Sequence, residues 1–189
     1  MLRDDIFSHI TEKDLQSGAA LRDLPNLLKV LDIVRGKGIR RMCDIGCGYG
    51  GLTKIVSRYL QVDEVYGIDI DDERLQVASQ RGIKVFRVDI EYEKLSFPDE
   101  YFDLVTSFGV LEHLKHFDNF FTESYRVLRK GGFLIISMPN LGSWINRIAL
   151  LLGFQPRDVE VSCRVRNQGF LPIYSGGSVS YTHLTLPTN

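Results

Sequence analysis

The sequence predicts an α/β protein with a doubly wound, mostly parallel sheet. Short apolar runs of strand character alternate with segments whose apolar residues repeat at helical spacing. The stretches joining successive strands are long enough to hold a helix, as parallel neighbours require. The composition, 44% apolar and 25% charged over 189 residues, is that of one globular domain.

Leu24, Leu27, Leu28, Leu31 and Val34 fall on one helical face, with Asp23 as a cap, Pro25 in the first turn, and Gly36 and Gly38 ending the run. Arg41 to Ile45 reads as a strand running into glycines. Leu52, Ile55, Val56, Tyr59 and Leu60 then mark a helix. The unit recurs with Val65 to Ile68 as strand, Asp71 to Arg81 as a helix capped by Asp71 or Asp72, and Ile83 to Val88 as strand. Phe102 to Phe108 is the fourth strand. Phe117, Phe120, Phe121, Ser124, Tyr125 and Leu128 give a helix closed by Arg129, Lys130 and Gly131, where cations suit the negative end of its dipole. Phe133 to Met138 is the fifth strand, and Trp144 to Gly153 reads as a packed helix. Val159 to Val165 alternates weakly, as strand or loop.

A formal net charge of -1 gives no bulk field for nucleic acid or anionic lipid, so a compact neutral ligand fits better. Three cysteines, Cys43, Cys47 and Cys163, in a chain opening with charge at Arg3, Asp4 and Asp5 rather than a signal peptide predict a reducing cytoplasm. Cys43 and Cys47 have no further Cys or His at ligand spacing, which favours buried side chains over metal ligands. Asn146 and Arg147 interrupt the longest apolar run, well short of the roughly 20 residues a membrane span needs. From Gly176 onward the chain has no charge and no lasting helical or strand period. Val179 to Thr188 resembles a translated sequencing adapter, which predicts a native sequence stopping near Ser178. The expected organisation is therefore a helical segment over 1–38, the domain over 39–178 without its last strands, and a non-native tail over 179–189. An uncovered edge on the fifth strand is expected to lower solubility.

The chemistry gathers at Asp44-Ile45-Gly46-Cys47-Gly48-Tyr49-Gly50-Gly51, where a buried strand turns into a helix and missing Cβ atoms let the backbone approach a ligand. Exposed amides at such a helix start favour anionic or polar groups. Gly46, Gly48 and Gly51 fit the dinucleotide pattern G-x-G-x-x-G. Asp44, Gly46, Gly48 and Gly50 equally fit an acidic-x-G-x-G-x-G pattern. Asp44 favours the second, because a carboxylate there repels a pyrophosphate but attracts the ammonium of an amino-acid ligand. That points to a sulfonium cofactor with a methionine moiety. Asp69, 19 residues after Gly50, stands near the roughly 20 expected for a carboxylate that holds ribose hydroxyls, with Ile70 beside it. It could instead cap the next helix. Asp89 is placed to accept from an adenine amine with Ile90 against the ring, or is a solvated loop acid.

Cys43-Asp44-Ile45-Gly46-Cys47-Gly48-Tyr49-Gly50, Gly67-Ile68-Asp69, Val88-Asp89-Ile90, Phe97 to Val105, Val110-Leu111-Glu112-His113-Leu114 and Arg126 to Gly132 resemble, in order, the motifs of class I S-adenosylmethionine-dependent methyltransferases of the type 11 kind. The resemblance covers Ile39 to Gly153. It implies the Rossmann-like sheet of that class and S-adenosyl-L-methionine as cofactor. Asp44 and Gly46 to Gly50, with Gly46, Cys47, Gly48 and Gly50 among them, would contact the methionine part, Asp69 the ribose, and Asp89 with Ile90 the adenine, with Ile70 also among the cofactor-binding residues. Phe108 and Gly109 would line the methyl-transfer site. The complete fold has seven strands with a closing hairpin, of which five are clear here. Arg81 to Val85 and Ser137 to Trp144 are similar to the MetW branch, associated with methionine biosynthesis, which adds the reading of a cofactor-binding protein partner or regulator.

Methyl transfer from a sulfonium is a direct displacement, so alignment and desolvation dominate and a base is optional. His113, after the fourth strand, is the candidate base for an unidentified small-molecule acceptor; it and Glu112 could equally just open the following helix. A nicotinamide-dependent oxidoreductase is the remaining alternative.

Overall fold

The computed structural model describes residues 24–139, 142, 144–153 and 179–184. The N-terminal stretch before Leu24, His9, Cys163 and the Val159 to Val165 segment lie outside the described residues.

The first helix, α1 (Leu24–Val34), precedes β1 (Arg41–Ile45), α2 (Gly51–Leu60), β2 (Glu64–Asp69), α3 (Asp72–Gln80), β3 (Lys84–Arg87) and β4 (Phe102–Phe108). A 3-10 turn (Leu111–His113) leads to α4 (Asp118–Val127), β5 (Leu128–Pro139), α5 (Trp144–Leu151) and β6 (Val179–Leu184). The strand order is β3-β2-β1-β4-β5-β6, with the first five parallel and β6 antiparallel to β5. The chain enters in the middle at β1, winds outward to β3, and returns to place β4 on the other side of β1. That reversal opens a crevice between the carboxyl ends of β1 and β4, where open α/β sheets bind ligands.

The central strands β1, β4 and β5 present apolar residues to both faces, as a sheet covered on both sides must. Met42, Leu104 and Ile135 pack with Leu27 and Leu31 of α1 and Ile55 and Val56 of α2. Cys43, Ile45, Tyr66, Phe102 and Val105 pack with Phe120 and Val127 of α4 on the opposite face. Leu75 and Ala78 of α3 close over Cys47 and Ile83. Asp71 caps α3, its carboxylate accepting from the Glu73 and Arg74 amides at 2.9 and 3.1 Å.

Three sequence expectations are corrected. The helix expected to close at Arg129, Lys130 and Gly131 ends at Val127. Leu128 is already extended (φ -82, ψ 129) and pairs with Phe102. Arg129 spends its charge across the sheet on Asp103, at 2.6 Å, and not on the helix end. The helix expected to be packed, α5, buries Asn146 but leaves Trp144, Ile148, Leu150 and Leu151 exposed, so its apolar face has no cover among the described residues. The tail expected to lack strand character supplies β6. Its run of Val179, Tyr181 and Thr182 has high strand propensity, and it pairs Leu184 with Leu134 through Val179 with Pro139 along the edge of β5. That edge is therefore not left open.

Candidate functional site

The turn from β1 into α2 sits at the crevice. Gly46 has φ +79, and a Cβ there would lie 2.1 Å from Val110 Cγ2, so no side chain fits beneath the loop that follows β4. Gly48 has φ +53 with nothing within 4 Å of where its Cβ would be, so the space over it is open to a ligand.

The sequence expected exposed amides here, and the structure spends them internally. Gly46 and Cys47 both donate to the Ile68 carbonyl, at 2.7 and 2.9 Å, and Gly50 donates to Cys47 O at 2.9 Å. The Gly48 amide donates to Asp69 Oδ2 at 2.9 Å. The reason is the parallel pairing of β1 with β2: the turn leaves β1 beside the last residues of β2, whose acceptors reach the amides first. A phosphate cradle needs such amides free. Four of them are already committed, one of them to the Asp69 carboxylate, the Asp44 carboxylate is buried, and the Arg74 guanidinium stands over the Tyr49 ring at 5.9 Å.

Asp44 is 2% exposed, below the turn on the α2 side of the sheet. Its Oδ1 accepts from Thr106 of β4 at 2.7 Å and its Oδ2 from Thr53 of α2 at 2.5 Å. Burial pushes its pKa up to about 6, the two threonine hydroxyls pull it down, and the Asp69 charge adds to the rise. Cys43 and Cys47 are buried free thiols whose pKa values burial and then the Asp44 charge raise, so neither is a thiolate at neutral pH. The Cys47 side chain packs with Leu75, Ala78 and Ile83, and its thiol also donates to the Gly48 carbonyl of the turn at 3.7 Å.

Asp69, at the end of β2, is 8% exposed. Besides Gly48 it accepts from the Asp71 amide at 3.0 Å. The helix cap that competed for its assignment is made by Asp71 instead. Ile70 follows it, exposed at the rim. Asp89 is half-buried; its Oδ1 accepts from the Glu91 amide at 3.1 Å and organises the turn after β3. Ile90 is buried in the core under that turn, not laid open beside a ligand space. Phe108 ends β4 half-buried against the α1 and α2 side. His113 is exposed in the 3-10 turn five residues beyond, its amide bonded to Val110 O. All of these except Asp44 and Ile90 reach the carboxyl edge; those two are held beneath it.

Sequence reasoning missed the residues that hold this edge together. Thr53 and Thr106 fix Asp44. Val110 closes over Gly46. Asn119 of α4 donates to Ile90 O and Glu93 O at 2.8 and 2.9 Å, while Glu91 accepts from the Lys115 and His116 amides at 3.2 Å. These bonds tie the loop after β3 to the loop after β4. Only the register of β1 against β4, which pairs Asp44 with Thr106, could have revealed Thr106, and only the packing of α2 on the sheet could have revealed Thr53.

The donor set suits a cationic nucleoside: buried carboxylate charge beneath the turn, a carboxylate at the tip of β2, and a half-buried acid after β3. Asp44 would face the amino-acid end, Asp69 the ribose, and Asp89 the base. No cluster of three or more His, Cys, Asp or Glu able to hold a metal occurs among the described residues.

A methyltransferase-domain family model matches residues 43–136. The chain is 34% identical over 101 residues to the ubiquinone/menaquinone biosynthesis C-methyltransferase UbiE of Burkholderia mallei, covering 51% of this chain and 42% of that protein. It is 32% identical over 100 residues to phthiotriol/phenolphthiotriol dimycocerosates methyltransferase 1 of Mycobacterium ulcerans, covering 51% of this chain and 36% of that protein. The chain thus spans less than half the length of these curated relatives. It shares its fold with the S-adenosylmethionine-dependent methyltransferase of Mesorhizobium loti, at 24% identity and a TM-score of 0.51, over 59% of this chain and 53% of that one. The sequence resemblance and the matched segment coincide on the glycine turn and the strands around it: residues 43–136 match the methyltransferase-domain family.

Proposed function

We propose that this chain binds S-adenosyl-L-methionine at the β1–β4 crevice and transfers its methyl group to a small-molecule acceptor by direct displacement. The observation that carries the reading is the state of the turn. The Gly46, Cys47, Gly48 and Gly50 amides are already bonded, and the buried charge below is negative, which disfavours a pyrophosphate and favours a sulfonium with an ammonium end.

When bound, the cofactor supplies a methyl on an excellent leaving group. This chain's residues contribute binding, alignment and exclusion of water. Asp44 attracts the ammonium, Asp69 accepts from the ribose, Asp89 receives the base, and Phe108 borders the reacting end. His113, exposed just past β4, is the base where the acceptor must lose a proton.

The acceptor reads as a molecule with an extended apolar part. The two curated relatives are named for ubiquinone/menaquinone biosynthesis and for phthiotriol dimycocerosates. The exposed Trp144, Ile148 and Leu151 of α5, which follows β5, would suit such a chain.

Calorimetric titration tests the binding half: S-adenosylhomocysteine should bind and NAD(H) should not, and the reverse result sinks the proposal. Transfer of labelled methyl to quinol precursors but not to small polar amines tests the acceptor class. Binding without transfer to any acceptor would turn the reading toward a cofactor-binding partner protein.

A further inference from the structure

We propose that Thr53 and Thr106 are positioning residues for cofactor capture: from α2 and β4 their hydroxyls hold the Asp44 carboxylate in the orientation that grips the amino-acid end of the ligand. The inference rests on the S-adenosyl reading above and adds the means by which the site is set.

Three elements converge on one carboxylate. Asp44 is the next-to-last residue of β1, Thr106 is its register partner in β4, and Thr53 lies in the first turn of α2. Both threonines are fully buried, and the two bonds measure 2.7 and 2.5 Å. A hydroxyl has one proton to give, so each threonine spends its only donor on Asp44. Each carboxylate oxygen keeps further acceptor capacity for a ligand ammonium.

A buried threonine in a strand or helix is ordinarily a shape that valine could fill. Here valine would remove a donor from a carboxylate that has no ion-pair partner among the described residues. The two hydroxyls are also what opposes burial in setting the charge state of Asp44, with Asp69 of β2 and the thiols of Cys43 and Cys47 as the other titratable neighbours. With one donor gone, the carboxylate turns more freely and takes up a proton more readily, and a neutral acid does not attract an ammonium.

The test compares two nucleosides on the full chain: S-adenosylhomocysteine, which carries the amino-acid end, and 5′-methylthioadenosine, which lacks it. Thr106→Val should lower affinity for S-adenosylhomocysteine about tenfold, the loss of one hydrogen bond to a charged group, and leave 5′-methylthioadenosine within about twofold. Thr106→Ser should restore the first. Thr53→Val, in a helix, carries the same comparison if Thr106→Val does not fold. Unchanged S-adenosylhomocysteine affinity overturns the inference, and so does an equal loss of both nucleosides, which would mark the threonines as framework alone. Failure of the wild-type chain to bind either nucleoside overturns the S-adenosyl reading itself.

Discussion

The Asp69 carboxylate accepts the Gly48 amide at 2.9 Å, so the tip of β2 holds the glycine turn that leaves β1, 21 residues away in sequence. The ribose-side acid and the methionine-side loop are therefore one mechanical unit. Its two part-buried acceptor bonds, from the Gly48 and Asp71 amides, give Asp69 a structural role beside the binding role proposed for it. Asp69→Ala should cost about 1–3 kcal/mol of stability through unsatisfied amides and lower S-adenosylhomocysteine affinity at least about tenfold. Denaturant melts and calorimetry read the two effects separately; a variant with wild-type values in both would refute the dual role.

Asp44 carries charge at a cost in stability. Its pKa is about 6 in the fold against 3.8 for the ordinary group, so between these values the folded chain holds a proton that the unfolded chain has lost. The folded state is thereby favoured at low pH, and this contribution is lost as pH rises from about 4 through 6. The shift corresponds to about 3 kcal/mol at neutral pH. Asp44→Asn, close to the same shape without the charge, should stabilise the ligand-free protein at pH 7 while weakening S-adenosylhomocysteine binding. Melting curves from pH 4 to 8 check it: the variant's gain should grow with pH, and a gain that shrinks would contradict the assignment.

Gly46 and Val110 are a steric pair. Alanine at 46 would meet Val110 Cγ2 at 2.1 Å and would also need a positive φ. Gly46→Ala should cost about 3 kcal/mol or more, combining overpacking with left-handed strain. Adding Val110→Ala relieves the clash but not the φ, so the double variant should recover part of the loss. Purely additive losses in urea unfolding would show that the two do not interact.

Arg126 locks the loop before β4. It donates to the Leu95 and Phe97 carbonyls, each at 2.7 or 2.8 Å, and pairs with Asp99 and with Glu123, whose side chain is 2% exposed. Arg126 holds the Glu123 carboxyl below its usual pKa, so this pair's stabilisation is fully present above the usual value and is lost as pH falls from there through the lowered one. Arg126→Ala strands a buried carboxylate and should cost about 3–5 kcal/mol at pH 7. Arg126→Leu with Glu123→Leu should cost clearly less, because no charge is left behind. Equal losses in the two variants would show that the charge pairing is not the source.

Much of the domain was legible in the sequence because its local signals agree. The strands Arg41–Ile45 and Phe102–Phe108 were readable to the residue as apolar runs bounded by glycine and charge. Asp71 was legible as a cap, and the glycine turn as a ligand loop. The end of α4 was misread because Arg129 and Lys130 resemble a helix terminus, whereas Arg129 answers Asp103, a residue far away in the chain. The strand at Val179–Leu184 was missed because its partner is the edge of β5, and strand formation there depends on that partner.

The sequence by itself determined the order of elements, the glycine turn and the acids at the strand ends, since each depends on a residue's own backbone preferences and on spacing along the chain. Tertiary structure alone decided what those groups do. Packing β1 between β2 and β4 spent the turn amides on Ile68 and Asp69, buried Asp44 under two threonine hydroxyls, and brought Val110 over Gly46. These are contacts between distant segments, set by sheet register and burial.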